Sequence, residues 1–203
     1  MTNDFKKIHK FLLDNSSDLP KLKKIILNNG VLNIPSPKYS FKEITFQTII
    51  SQQISNKVAE KIWNKVHCFL RKDPKNFNIK PNNFNYKKLR FLGVSKKKLN
   101  CMALFLEKYP DMKSIPKNLN YSSLKDFKDE LKSIKGIGEW TCDMILIFYF
   151  QEINIWPKTD FIIKKYSNYI VENNNNNKTS CIKSFSPYLS ILALHIWKYS
   201  DQN

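Results

Sequence analysis

Residues 131–160, LKSIKGIGEWTCDMILIFYFQEINIWPKTD, decide the reading of this chain. An amphipathic segment, 121–134, runs into Lys135-Gly136-Ile137-Gly138, and an almost wholly apolar run, 141–150, follows. Two glycines flanking one aliphatic residue predict a tight hairpin between two helices. Glycine accepts the positive φ such a turn needs and lets another backbone come close. Ile137 then plugs the gap between the helices. The amides of Gly136, Gly138 and Thr141 point outward at the start of the second helix. Free N–H groups and the positive end of the helix dipole make an anion site there. G-x-G alone also fits an ordinary turn between helices. What accompanies it here is Asp160, one buried helix and a short Pro-containing loop further on, where a carboxylate would face the hairpin across a cleft.

Composition narrows the partner. The 203 residues are 42% hydrophobic and 13% aromatic, enough for a true core in one domain or two small lobes. Only four glycines occur, which favours an all-α chain with few tight turns. A formal charge of +17 predicts a polyanionic partner, although a generally basic proteome rich in Lys and Asn would account for part of the excess. Lys greatly outnumbers Arg, which suits diffuse phosphate attraction better than bidentate base reading. Cys68, Cys101, Cys142 and Cys181 are scattered with no C-x-x-C pair, so neither a zinc site nor an iron–sulfur cluster is expected. Reduced thiols, an N-terminus without an apolar signal core and no bilayer-length apolar run predict a cytoplasmic protein that engages no membrane.

Taken in order, 5–13 and 20–29 read as helices, with a break at Pro35 and Pro37. Ser40 and Glu43 form a capping box. Phe46, Ile50, Ile54, Val58, Ile62 and Val66 recur every four positions, predicting one long amphipathic helix or two joined near SQQIS (51–55). Residues 73–85 read as a loop, 86–92 as a short helix ended by Gly93, and Ser95 as the cap of the next. Lys96, Lys97 and Lys98 sit in that helix's first turn against the dipole preference, a solvated face or a phosphate contact. Ser123 and Asp126 suggest the cap of the helix that enters the hairpin. Residues 173–177, all Asn, cannot pack a core.

The hairpin IKGIGEWTC, the apolar helix after it, and WPKTDFIIKKY carrying Asp160 resemble the helix-hairpin-helix DNA glycosylases, nearest the 3-methyladenine DNA glycosylase II branch. SQQIS, LGVSKKKLNCMALFLE (92–107) and LALHIWKY (192–199) match in the same order, so the likeness runs from about Phe41 to near the C-terminus. It implies two helical lobes with a cleft between them: 46–152 with the hairpin, and 1–45 plus 153–203. It implies a monomer that binds damaged double-stranded DNA without a cofactor, flips an alkylated base from the stack and hydrolyses its glycosidic bond. Asp160 becomes the catalytic carboxylate, opposing the positive charge that develops on the sugar. Its plainer reading is the N-cap of the helix from Phe161. Trp140, Met144 and Trp197 would line the base pocket, although a Trp on an apolar helix also suits a core. Gly136, Ile137, Gly138 and Thr141 form the phosphate-binding hairpin. The resemblance also allows a monovalent cation on the carbonyls of Lys132, Ile134 and Gly136, with no side-chain metal ligands. The wedge that fills the hole left by the flipped base falls on Gln53 or Ile54. His195 would reach the cleft or be a core histidine. Thr159 stands where some relatives place a second acid ahead of the catalytic one. Relatives that also nick the strand carry a Lys two positions after the second hairpin glycine, where this chain has Trp140. Its alternative amines are Lys135 and Lys158. Two other readings stay open: a glycosylase/lyase for oxidised bases, and a non-catalytic helix-hairpin-helix DNA-binding module.

Overall fold

The structure, a computed structural model, describes residues 4–81, 83–110, 121–171 and 178–202. The Asn insert at 173–177 and residues 111–120 lie outside them. Among the described residues the regular elements are all helical. In chain order they are α1 (Phe5–Asp14), α2 (Pro20–Asn29), α3 (Phe41–Ser51), α4 (Asn56–Lys72), a 3-10 turn at Pro74–Phe77, α5 (Phe84–Phe91), α6 (Lys96–Lys108), α7 (Tyr121–Lys132), α8 (Glu139–Phe148), α9 (Phe161–Val171), α10 (Lys178–Lys183) and α11 (Leu189–Gln202). The chain is all-α.

It divides into two compact units, Met1–Ser36 with Leu146–Asn203, and Pro37–Ile145. Sequence reading placed the divisions at 45/46 and 152/153. The observed ones fall nine and seven residues earlier, since the whole of α3, from its cap onward, packs within the second unit.

In the first unit α11 packs on α2 and on α9, and α1 packs on α2. Ile8, Leu12, Leu22, Ile26, Leu192 and Ile196 fill the core between them. Asn29, at the end of α2, is itself buried. Its Nδ2 donates to the His195 carbonyl at 2.9 Å and lies 3.2 Å from His195 Nδ1, while Lys198 Nζ donates to the Asn29 carbonyl at 3.0 Å. These bonds fix the register of α11 against α2. Burial drives the His195 imidazole down to about 3, with His9 and Lys198 adding to the effect, so it is a neutral core residue.

The second unit begins with the expected capping box: Glu43 N–H donates to Ser40 Oγ, and the Glu43 carboxylate accepts from Ser40 N–H at 2.9 Å. The four-residue apolar repeat is broken into two helices at Gln52, whose φ of −54° and ψ of 128° leave the helical region, and at Gln53, with φ +57°. Phe46, Ile49, Ile50, Trp63, Val66, Leu99 and Phe105 form the core, and Phe41 stacks among Phe105, Tyr109 and Phe127. Ser95 caps α6 as expected, accepting from Lys98 N–H. Ser123 does not cap α7, because the helix is already under way at Tyr121. The apolar run after the hairpin leaves the helix at Phe148, two residues short of its expected end.

Candidate active site

The hairpin is built in the second unit. Leu131, Ile134 and Ile137 are buried, and Ile137 N–H donates to the Ile134 carbonyl at 2.9 Å, closing the turn. Gly136 has φ +102°, and a Cβ on it would stand 2.9 Å from both Cβ and Sγ of Cys101 in α6. Conformation and packing both demand glycine there. Gly138 differs. It lies outside the left-handed region, and a Cβ on it would meet nothing within 4 Å. The protein itself gives no steric reason for glycine at 138, which suits close approach of something from outside. Cys142 N–H donates to the Gly138 carbonyl at 3.1 Å, so Gly138 is the N-cap of α8. The first turn of an α-helix directs its amides outward, the arrangement that binds anions, and α8 begins directly after this exposed glycine.

Glu139 would oppose an anion at this helix end were its charge not paired. Lys128 Nζ lies 2.6 Å from Glu139 and 2.7 Å from buried Asp143, and Lys132 Nζ lies 3.5 Å from Glu139. The hydrogen bond from Lys128 is the largest influence on the Glu139 carboxyl and holds it below its usual range. Burial pulls the Lys128 ammonium down, but its bonds to Asp143 and Glu139 outweigh that and leave it raised. This α7–α8 ion network was missed in the sequence, where Lys128 is one of many lysines.

Thr141 is buried, and its Oγ1 accepts from Gln52 Nε2 at 2.9 Å. The same nitrogen donates to the Gly136 carbonyl at 2.9 Å. The side chain of Thr141 therefore faces inward, leaving only its backbone amide for an anion. Of the carbonyls named for a monovalent cation, Ile134 and Gly136 each already accept a hydrogen bond, from Ile137 N–H and Gln52 Nε2. Among the described residues no group of three or more His, Cys, Asp or Glu could hold a metal ion. Trp140 is half-buried in the first turn of α8, with Met144 buried one turn later. Gln53 is exposed and Ile54 half-buried in the turn between α3 and α4. Lys98, last of the Lys run, donates to the Ile50 carbonyl at 2.8 Å, while Lys96 and Lys97 are exposed.

Asp160 lies in the first unit. Its Oδ1 accepts the Ile163 amide at 2.9 Å, capping α9, and also the Trp197 indole N–H at 3.1 Å. Both sequence readings of Asp160 are thus compatible, since the cap and the indole fix the carboxylate in place. Trp197 is half-buried and its ring lies 6.0 Å from that of Phe148. Lys158 and Thr159, just ahead of Asp160, are exposed, as is Lys135 in the hairpin.

No protein-family model matches the chain. The DNA-3-methyladenine glycosylase 1 of Schizosaccharomyces pombe is 22% identical over 185 residues, 89% of this chain and 81% of that protein. Among solved structures, the 3-methyladenine DNA glycosylase of Schizosaccharomyces pombe in complex with abasic DNA superimposes with a TM-score of 0.75 at 22% identity, covering 96% of this chain and 97% of that one. The chain shares the fold of that DNA glycosylase and is similar in sequence to DNA-3-methyladenine glycosylases. The same fold is shared by proteins named for different reactions. The 8-oxoguanine glycosylase/lyase of Clostridium acetobutylicum, in complex with DNA, also superimposes, with a TM-score of 0.67 at 17% identity, covering 99% of this chain and 72% of that one. What this glycosylase-fold chain does therefore rests on its side chains.

Proposed function

We propose that the chain is a monofunctional DNA glycosylase that releases alkylated bases of the 3-methyladenine type from duplex DNA. The observation that carries this reading is the Asp160 carboxylate, held on one oxygen by the Ile163 amide and the Trp197 indole. A carboxylate fixed in this way opposes the charge that builds on the sugar as the glycosidic bond lengthens. An alkylated purine already carries a positive charge that its departure cancels, so the bond breaks without protonating the leaving group. The oxygen of a water then bonds C1′ and its proton passes to solvent. Trp140 and Trp197 are flat and Met144 is polarisable, the side-chain types that bind a cationic ring. The first-turn amides of α8 take a backbone phosphate, and open Gly138 lets it come close. The protein works as a monomer, in the cytoplasm.

Trp140 separates this reading from the lyase alternative. An indole nitrogen is a donor only and cannot attack C1′ to form a Schiff base. The test is a panel of duplexes bearing single alkylated, deaminated or oxidised bases, scored for base release and for a borohydride-trapped adduct. Release from alkylated duplexes with an intact strand and no adduct is expected. Release confined to oxidised bases, with an adduct abolished by Lys158→Ala, would overturn the proposal.

A further inference from the structure

We infer that Gln52 is a positioning residue that locks the turn between α3 and α4 to the hairpin, setting where that turn enters DNA relative to the phosphate the hairpin holds. The inference rests on the glycosylase reading above. Gln52 Nε2 has two hydrogens and two acceptors, the Gly136 carbonyl and Thr141 Oγ1, each at 2.9 Å. A carbonyl can only accept, so the amide orientation is forced. One partner lies between the two hairpin glycines and the other in the first turn of α8. The side chain thus touches both parts of the anion-binding element from a residue 84 positions earlier.

The turn it holds is not one the chain would keep unaided. Gln53, the next residue, has φ +57° and is exposed. A non-glycine side chain stays in the left-handed region only where its surroundings over-determine the backbone. Two anchors do so here: Lys98 Nζ on the Ile50 carbonyl at 2.8 Å, before the turn, and Gln52 within it. Lys98 is partly desolvated, and burial lowers it from its ordinary value. Neither anchor is accounted for by core packing, because Gln52 and Lys98 are both only half-buried. Together they present Gln53 and Ile54 as a preset tip. With the hairpin on a phosphate, the tip meets the base stack at a fixed offset, which couples grip to unstacking.

Gln52→Ala in the full chain tests this. Base release is compared for the same alkylated base in a duplex and in a single strand, which needs no unstacking. A 2-aminopurine beside the lesion reads unstacking directly. Losing two neutral hydrogen bonds predicts about a tenfold loss of duplex release and of the 2-aminopurine signal. Single-strand release stays within about twofold and undamaged-duplex affinity within about threefold. A merely structural role would lower both release rates alike, and that result, or an unchanged duplex rate, overturns the inference. Gln52→Glu keeps the shape but presents acceptors to the Gly136 carbonyl, and it should behave like the alanine variant. It carries the test if alanine compromises folding, and wild-type behaviour in Gln52→Glu also overturns the inference. The 2-aminopurine signal needs no bond cleavage. A wild type that unstacks but releases no base sinks the glycosylase reading alone, and Gln52→Ala that unstacks like wild type sinks the coupling alone.

Discussion

Asp160 receives the Ile163 amide and the Trp197 indole on the same oxygen, so substitutions at the two residues separate charge from geometry. Asp160→Asn keeps an oxygen to cap α9, since Asn and Asp cap about equally well, and melting should be little changed. What it loses is the charge, and losing one such electrostatic partner costs about 3–4 kcal/mol of transition-state stabilisation. Single-turnover kinetics should show base release falling by two to three orders of magnitude on that scale, with duplex affinity kept within a few-fold. Retained release would remove Asp160 from the catalytic role. Trp197→Phe keeps an aromatic face and removes only the N–H. A hydrogen bond to a charged group is worth about 1.5–3 kcal/mol, so kcat should fall by about 10- to 100-fold while KM moves less. A change confined to KM would make Trp197 a wall of the pocket and nothing more. Each residue was legible in the sequence by type and neighbourhood. Their bond was not, because a separation of 37 residues carries no periodic signal.

The hairpin gives the element-scale contrast, since its two glycines are glycine for different reasons. Gly136→Ala must place a Cβ 2.9 Å from Cys101 at φ +102°. Overpacking and backbone strain together should cost about 2–4 kcal/mol, a drop of about 10 °C in Tm for a chain of this size. Gly138→Ala meets open space and forgoes only a preferred cap residue, about 1 kcal/mol at most, so Tm should move by no more than about 3 °C. Its duplex affinity should fall by about five- to tenfold, equally for damaged and undamaged DNA, because phosphate contacts do not read bases. Fluorescence anisotropy on matched duplexes decides it, and a loss confined to lesion DNA would make the hairpin part of the base pocket. The pattern G-x-G announced the hairpin, but only packing distinguishes its two glycines. The helix break at Gln52 was visible as a choice between one helix and two, since the apolar repeat runs straight through it. The cap at Ser123 was misread because a good capping residue is also tolerated inside a helix. Lys128 had no signature at all, being an ordinary Lys until α8 brings Glu139 and Asp143 to it.

For the whole molecule, acid stability follows from His195. Its folded value of about 3 lies far below the ordinary 6.5, so between those values the unfolded chain binds a proton that the native core refuses. Stability from this residue is fully present above pH 6.5 and is lost as pH falls toward 3, by at most about 1.4 kcal/mol per pH unit. His195→Asn retains an acceptor for Asn29, and its Tm between pH 7.5 and 4.5 should fall less steeply than that of the wild type. Parallel curves would assign the acid loss elsewhere. The close packing of Gly136 on Cys101 has a different consequence, one of chemical survival. Burial pushes the Cys101 thiol up to about 11 and the Cys142 thiol to about 12, so both stay protonated at neutral pH, whereas Cys68 on α4 is exposed. Thiolates, not thiols, are what electrophiles attack. A thiol reagent added to the native protein should therefore modify Cys68 long before either buried cysteine, with the order read by mass spectrometry. If the proposed activity holds, the protein operates amid the alkylating reagents that damage DNA, and the two thiols beneath and beside its hairpin are kept in the form those reagents cannot use.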